Sequence, residues 1–182
     1  MRLKFSNITN DILAGARDEA MRTGHLGIST DHIVLAILRN GSNGAVSLLE
    51  KAGVEPRGLK RFIDSRIFRE ESIPYSAIDS VRLSKEGQSL LSMAAFEALK
   101  RGTQTITPEH LLLAASLTKG SAIGTFLADR QIDNRRLAEL LREERNAEVE
   151  IKVPDIREIS GAIEEQLGQL INPGEKPQGF YS

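Results

Sequence analysis

The chain has 182 residues, 40% of them apolar and 27% charged, and its 24 basic and 25 acidic side chains leave a formal net charge of −1. This is the composition of a globular protein of one domain or two small ones, and its balance gives no general attraction to nucleic acid or an anionic membrane. Without cysteine there is no disulfide framework or thiolate metal site, and neither a secretory signal nor an apolar run of about 18 residues occurs, so a cytoplasmic location is expected.

Ser6 or Thr9 suits the cap of a first helix, whose apolar positions Ile12, Leu13, Ala16 and Ala20 recur at helical spacing. Gly24 suits its end, where a left-handed residue stops a helix. Ser29-Thr30-Asp31-His32 opens a second helix over 33–39 that is apolar on most sides, as a helix in the middle of a bundle should be. A Gly-rich turn, Gly41-Ser42-Asn43-Gly44, leads to a third helix over about 44–52. Val54-Glu55-Pro56 enters a fourth, with proline suited to its first turn. Residues 66–82 hold Ile67, Phe68, Ile73, Pro74, Tyr75 and Ile78 without clear periodicity and read as a linker.

The same grammar then recurs. Ser84 caps a helix with Leu90, Leu91, Ala94 and Ala98 on its apolar face, and Gly102 ends it. Ile106-Thr107-Pro108-Glu109-His110 is the clearest helix start in the chain, with Thr107 as cap, Pro108 at the first position and Glu109 where the helix dipole favours a carboxylate. An apolar helix over 111–118, the turn Lys119-Gly120, a helix over about 121–130 and the entry Ile132-Asp133-Asn134 complete the copy. No strand ladder is evident inside either unit. Beyond 146, Val149-Glu150-Ile151-Lys152-Val153-Pro154 alternates and reads as a short extended stretch. Ile156, Ile159, Ile163, Leu167 and Leu170 predict a helix over 155–171, and the Pro/Gly-rich residues from Asn172 onward read as a flexible tail.

Shifted by 78 residues, the sequence meets itself. Ser6/Ser84, Leu13/Leu91, Ala16/Ala94, Glu19/Glu97, Ala20/Ala98, Gly24/Gly102, Ile28/Ile106, His32/His110, Leu35/Leu113, Leu49/Leu127 and Leu59/Leu137 are identical pairs in one register. The repeats cover about 5–65 and 83–146, which together form a domain over 1–146, followed by an extension over 147–182.

Two copies of [Ser/Thr]-x-[Asp/Glu]-His before an aliphatic helix, seen in Thr30-Asp31-His32-Ile33-Val34-Leu35 and Pro108-Glu109-His110-Leu111-Leu112-Leu113, resemble the Clp N-terminal repeat domain. That domain stands at the front of Clp and Hsp100 AAA+ unfoldases. The resemblance covers about 5–146 and implies an all-α fold of two tandem four-helix repeats related by a pseudo-twofold. It also implies partners: a Clp unfoldase or peptidase subunit, or unfolded or marked protein substrates. In ClpC-like unfoldases the acidic residue of this motif and the hydroxyl residue opening the first helix form a phosphoarginine pocket. Carried over, those positions are Ser6 with Asp31 and Ser84 with Glu109, although Asp31 is shorter than the usual glutamate and serine replaces threonine. The alternative reading of Asp31 and Glu109 is that they favour the helix dipole.

No phosphate loop of the form G-x-x-x-x-G-K-[ST] occurs, so this chain does not itself drive ATP-dependent threading. His32 and His110 sit beside acids, but neighbours in sequence diverge on a helix, which favours a structural role over a metal or base role. With no cysteine nucleophile and no G-x-S-x-G elbow, no catalytic residue, metal or cofactor is expected. The basic clusters around Arg57 to Arg69 and Arg135 to Arg145 are interspersed with acids, and only 4% of the chain is aromatic, so they read as solvated faces. Phe68 and Tyr75 in the linker and Ile156, Ile159, Ile163 and Leu167 in the extension are candidate partner contacts. The reading is a non-enzymatic, stand-alone adaptor or accessory protein of the Clp system. The alternatives are the N-terminal fragment of a ClpC-like unfoldase and, remotely, a small hydrolase using His110 and Glu109.

Overall fold

A computed structural model describes residues 2–152, with side chains as far as Arg145. In chain order the elements are β1 (Lys4–Phe5), α1 (Asn7–Arg22), β2 (Gly27–Ile28), α2 (Thr30–Asn40), α3 (Gly44–Lys51), α4 (Pro56–Ile67), a 3-10 turn (Tyr75–Ser80), β3 (Arg82–Leu83), α5 (Lys85–Lys100), β4 (Thr105–Ile106), α6 (Pro108–Ala115), α7 (Ala122–Asp129) and α8 (Asn134–Lys152). The all-α class expected from the sequence holds. The 78-residue shift carries α1 onto α5 and α3 onto α7 end for end.

Local chemistry accounts for these bounds. The Ser6 hydroxyl accepts the Thr9 amide at 3.2 Å and the Ser84 hydroxyl accepts the Gly87 amide at 3.0 Å, so each serine caps its helix. Gly24 and Gly102, at φ 84° and 77°, turn the chain out of α1 and α5. The second copy's central helix is shorter than predicted: past Ala115 the Leu117 and Thr118 amides reach back three residues, to the Ala114 and Ala115 carbonyls. This tighter winding ends regular helix there.

Four two-residue strands, too short to leave a period in the sequence, join the repeats. β1 pairs in parallel with β4 (Lys4 with Thr105, Phe5 with Ile106), and β2 with β3 (Gly27 with Arg82, Ile28 with Leu83). The 78-residue shift turns one ladder into the other, so each repeat lends its opening strand to the other.

The core is continuous across both repeats. Residues 33–37 of α2 and 111–115 of α6 are all buried, and these two helices contact each other at the centre. α4 packs on α7, where Phe62 and Phe126 meet edge to face at 5.3 Å. The linker is strapped over the end of α1. The Arg69 amide donates to the Thr23 carbonyl, the Ile73 amide to the Met21 carbonyl, and the His25 ring meets the Ile67 carbonyl at 2.7 Å.

One expectation fails. The alternating stretch at 149–154 is not extended as far as it is described, because α8 continues to Lys152. Glu and Lys are good helix formers, which favours continuation of α8 into this stretch. A first compact unit ends at Arg142, inside α8. The predicted helix over 155–171 and tail lie outside the described residues.

Candidate functional site

Both motif histidines are structural. His32 Nδ1 accepts the Ser29 amide at 3.0 Å, and His110 Nδ1 accepts the Thr107 amide at 3.0 Å. Each histidine thereby takes the place of Glu or Gln in a capping box, reaching back from the third helical position to the cap residue. On the far side of the His32 ring, Nε2 lies 3.0 Å from the Thr23 hydroxyl, which itself donates to the Glu19 carbonyl at 2.8 Å. With Nδ1 as acceptor, Nε2 carries the proton. Burial, aided by His25, Arg22 and Arg69, pushes the His32 pKa down to about 4. Among the described residues no cluster of His, Asp and Glu is arranged to hold a metal. A capping box with histidine in the fourth position was readable in the sequence as Ser29-x-x-His32 and Thr107-x-x-His110.

Asp31 and Glu109 work across the repeats. The Asp31 carboxylate, 6% exposed, accepts the Ala122 amide at 2.8 Å and the Ile123 amide at 2.9 Å. A carboxylate of α2 therefore caps α7. Burial raises its pKa, and the two amides oppose that rise. The half-buried Glu109 of α6 stands at the start of α3, so close to Gly44 that a Cβ there would overlap its carboxylate. Glycine at 44 makes room for this acid. No pattern within one repeat announces a partnership of this kind.

The hydroxyl residues pair with these acids differently from the expectation. Ser6 donates its amide to the Ile106 carbonyl at 3.0 Å, directly before the α6 start that carries Glu109. Ser84 donates its amide to the Ile28 carbonyl at 3.1 Å and its hydroxyl to the same oxygen at 3.0 Å, directly before the α2 start that carries Asp31. The two corners are thus Ser6 with Glu109 and Ser84 with Asp31, because strand exchange brings each repeat's opening to the other's second helix. Glu86 joins the second corner, its pKa raised by burial and then by the charge of Asp31.

Of the candidate partner residues, Phe68 and Tyr75 are 55% and 79% exposed, whereas Ile73 and Ile78 pack against the core. Ile156, Ile159, Ile163 and Leu167 lie outside the described residues. The sequence reading missed a groove of about 490 Å³ between α1 and the β2–β3 ladder. Leu13, Ile28, Val81 and Leu83 give it an apolar lining, and Arg17 and Arg82 stand exposed beside them. It forms only when the exchanged strand arrives beside α1, which is why no local signal marks it. No helix among the described residues is long and apolar enough to cross a membrane.

With this geometry established, comparison with known proteins gives one consistent picture. The family model for the Clp repeat (R) N-terminal domain matches residues 4–130. The negative regulator of genetic competence ClpC/MecB of Bacillus subtilis is 27% identical over 110 residues, which is 60% of this chain and 13% of that protein. The chain spans only 13–17% of the length of the curated ClpC and ClpB relatives it matches. Among solved structures, the Hsp104 N-terminal domain of Candida albicans aligns with a TM-score of 0.63 at 15% identity, covering 78% of this chain and 91% of that one. The N-terminal domain of ClpD from Arabidopsis thaliana aligns with a TM-score of 0.58 at 16% identity, covering 78% of this chain and 94% of that one.

Proposed function

The chain belongs to the Clp repeat (R) N-terminal domain family, and on that footing we propose that it is a non-enzymatic protein-binding module serving the Clp unfoldase and protease system as a stand-alone adaptor or accessory. The observation that carries this reading is the groove beside α1. Its apolar lining suits the side chains of an extended segment of a substrate or Clp subunit, and Arg17 and Arg82 at its margin favour acidic residues flanking that segment. The capping geometry of His32 and His110 supports a binding role over a hydrolytic one, since Nδ1 of each is already committed to a backbone amide.

The test is capture from the native lysate by the full chain, beside a variant carrying Arg17→Glu, Arg82→Glu and Leu83→Ser. Recovery of a Clp ATPase or peptidase, reduced at least tenfold by the variant at unchanged helical circular dichroism, supports the reading. Scattered client proteins with no Clp subunit sink the adaptor role.

The short span relative to the curated relatives favours a second version of the same biology, in which the module forms the N-terminal part of a longer ClpC-like unfoldase. The genomic reading frame decides between them: an ATPase encoded in frame downstream supports the longer protein. For a phosphoarginine-like ligand, the Ser6–Glu109 corner is the better seat, because Glu109 is only half-buried whereas Asp31 is buried. Free phosphoarginine should shift the amide resonances around Ser6 and Glu109 and spare those around Asp31. Shifts at neither corner remove that ligand from the reading.

A further inference from the structure

On the other side of α1, facing α2, lies a shallow trough of about 340 Å³. Ala14, Gly15 and Ala36 give it small walls, Asp11 and Asp18 acidic margins, and Arg39 lies 3.6 Å from Asp18. A Cβ on Gly15 would sit in ordinary contact, 3.7 Å from that of Ala36, so the trough is open because the residues are small.

The second repeat carries opposite chemistry at the same positions. Shifted by 78 residues, Gly15 becomes Met93, Asp18 becomes Phe96 and Arg39 becomes Leu117. A trough in one repeat is thus replaced by a ridge in the other. Phe96 and Leu117, on the neighbouring helix α5 and just past α6, are 61% and 46% exposed. The ridge is flanked by cations: Lys100 Nζ lies 5.2 Å from the Phe96 ring, and Lys119 follows Leu117 where the first repeat has Gly41.

We propose that the Phe96–Leu117 ridge of one copy seats in the Ala14–Gly15–Ala36 trough of a second copy, so that this chain associates with itself through its two unlike repeats. Shape and charge both match. An aromatic and a leucine meet a wall of alanine and glycine, while Lys100 and Lys119 meet the margin of Asp11 and Asp18. The Asp18–Arg39 pair that borders the trough is more than half exposed on both sides, so it opens at little cost when the ridge enters. Because ridge and trough are different surfaces, the contact is heterologous, and every copy has one of each to offer.

Sedimentation velocity on the purified full chain, from a few micromolar to several hundred, tests this without any Clp partner. The average mass should rise with concentration, and less so in high salt. Phe96→Asp removes the ridge using the residue type its own repeat partner carries, and Gly15→Met fills the trough by the same logic. Each variant alone should stay monomeric, at least tenfold weaker in association, and the two mixed should form a one-to-one dimer. Should Gly15→Met lower the helical circular dichroism, Asp11→Lys replaces it as the trough variant. A wild-type chain that is monomeric throughout, or complementary variants that do not pair on mixing, would overturn the proposal. So would Phe96→Asp abolishing Clp capture by a chain that never self-associates, which would assign the ridge to a foreign partner.

Discussion

The carboxylate of Asp31 and the backbone amide of Ala122 stand 91 residues apart in the chain and 2.8 Å apart in the fold. Together with the adjacent bond to Ile123, this contact makes one repeat's signature acid the cap of the other repeat's third helix. Asp31→Ala should therefore cost about 2–4 kcal/mol in urea unfolding, since it strands two buried amides and removes a cap. Asp31→Asn, which keeps one acceptor, should recover part of that loss. Equal stability of all three proteins would show that α7 does not depend on the contact.

The buried His32 makes stability depend on pH. Its folded pKa of about 4 lies below the ordinary value of 6.5, so between these limits the unfolded chain binds the extra proton. Stability is complete above about pH 6.5 and falls as the pH drops toward 4, by at most about 3 kcal/mol. The raised pKa of Asp31 acts with the opposite sign: its proton favours the folded state, stabilising the fold as pH falls through the acid range. His32→Gln keeps a capping-box acceptor and removes the titration. Chemical unfolding of that variant at pH 7 and pH 5 should show a clearly smaller difference than the wild type.

Gly87 should refuse a methyl group that helix propensity would welcome. A Cβ there would lie 2.3 Å from the Ile28 carbonyl oxygen, which already accepts the Ser84 hydroxyl and amide. We expect Gly87→Ala to destabilise by about 2 kcal/mol or more, through displacement of the β2–β3 ladder from α5. The control is Gly58→Ala in α4, where nothing lies within 4 Å. That change should stabilise by about 0.5–1 kcal/mol. Thermal unfolding of the pair separates steric from propensity effects.

Arg22 bridges two elements, donating to Glu19 at 2.6 Å and to Asp64 of α4 at 2.7 Å. Glu19 is 3% exposed, so Arg22→Met leaves a buried carboxylate without its cation. A loss of about 1–3 kcal/mol is expected, below the full value for a buried pair because Arg22 itself is partly solvated. Lowering the pH below the carboxylate range should narrow the gap between mutant and wild type, and an unchanged gap would assign the effect to lost packing.

Much was legible before any coordinates. The serine caps at Ser6 and Ser84, the glycine stops at Gly24 and Gly102 and the burial of 33–37 and 111–115 are local or periodic signals, and each appears where it was expected. Such features are set by residues a few positions apart, whose preferences for cap, turn or buried face do not depend on the rest of the chain. The stretch at 149–154 misled over its described part, 149–152, because alternation over six residues fits a strand, whereas continuation of an established helix costs no new nucleation.

What only the tertiary structure decided is how the two copies use each other. Strand exchange pairs Ser6 with the start of Glu109's helix and Ser84 with that of Asp31's. It also builds the groove beside α1, commits Asp31 to α7 and sets Glu109 against Gly44. A sequence repeat states that two units are alike, but either unit could in principle satisfy its strand edges and helix ends internally. Buried amides at the start of α7 and unpaired strand edges must find partners wherever the packed chain supplies them, and here the supplier is the opposite repeat.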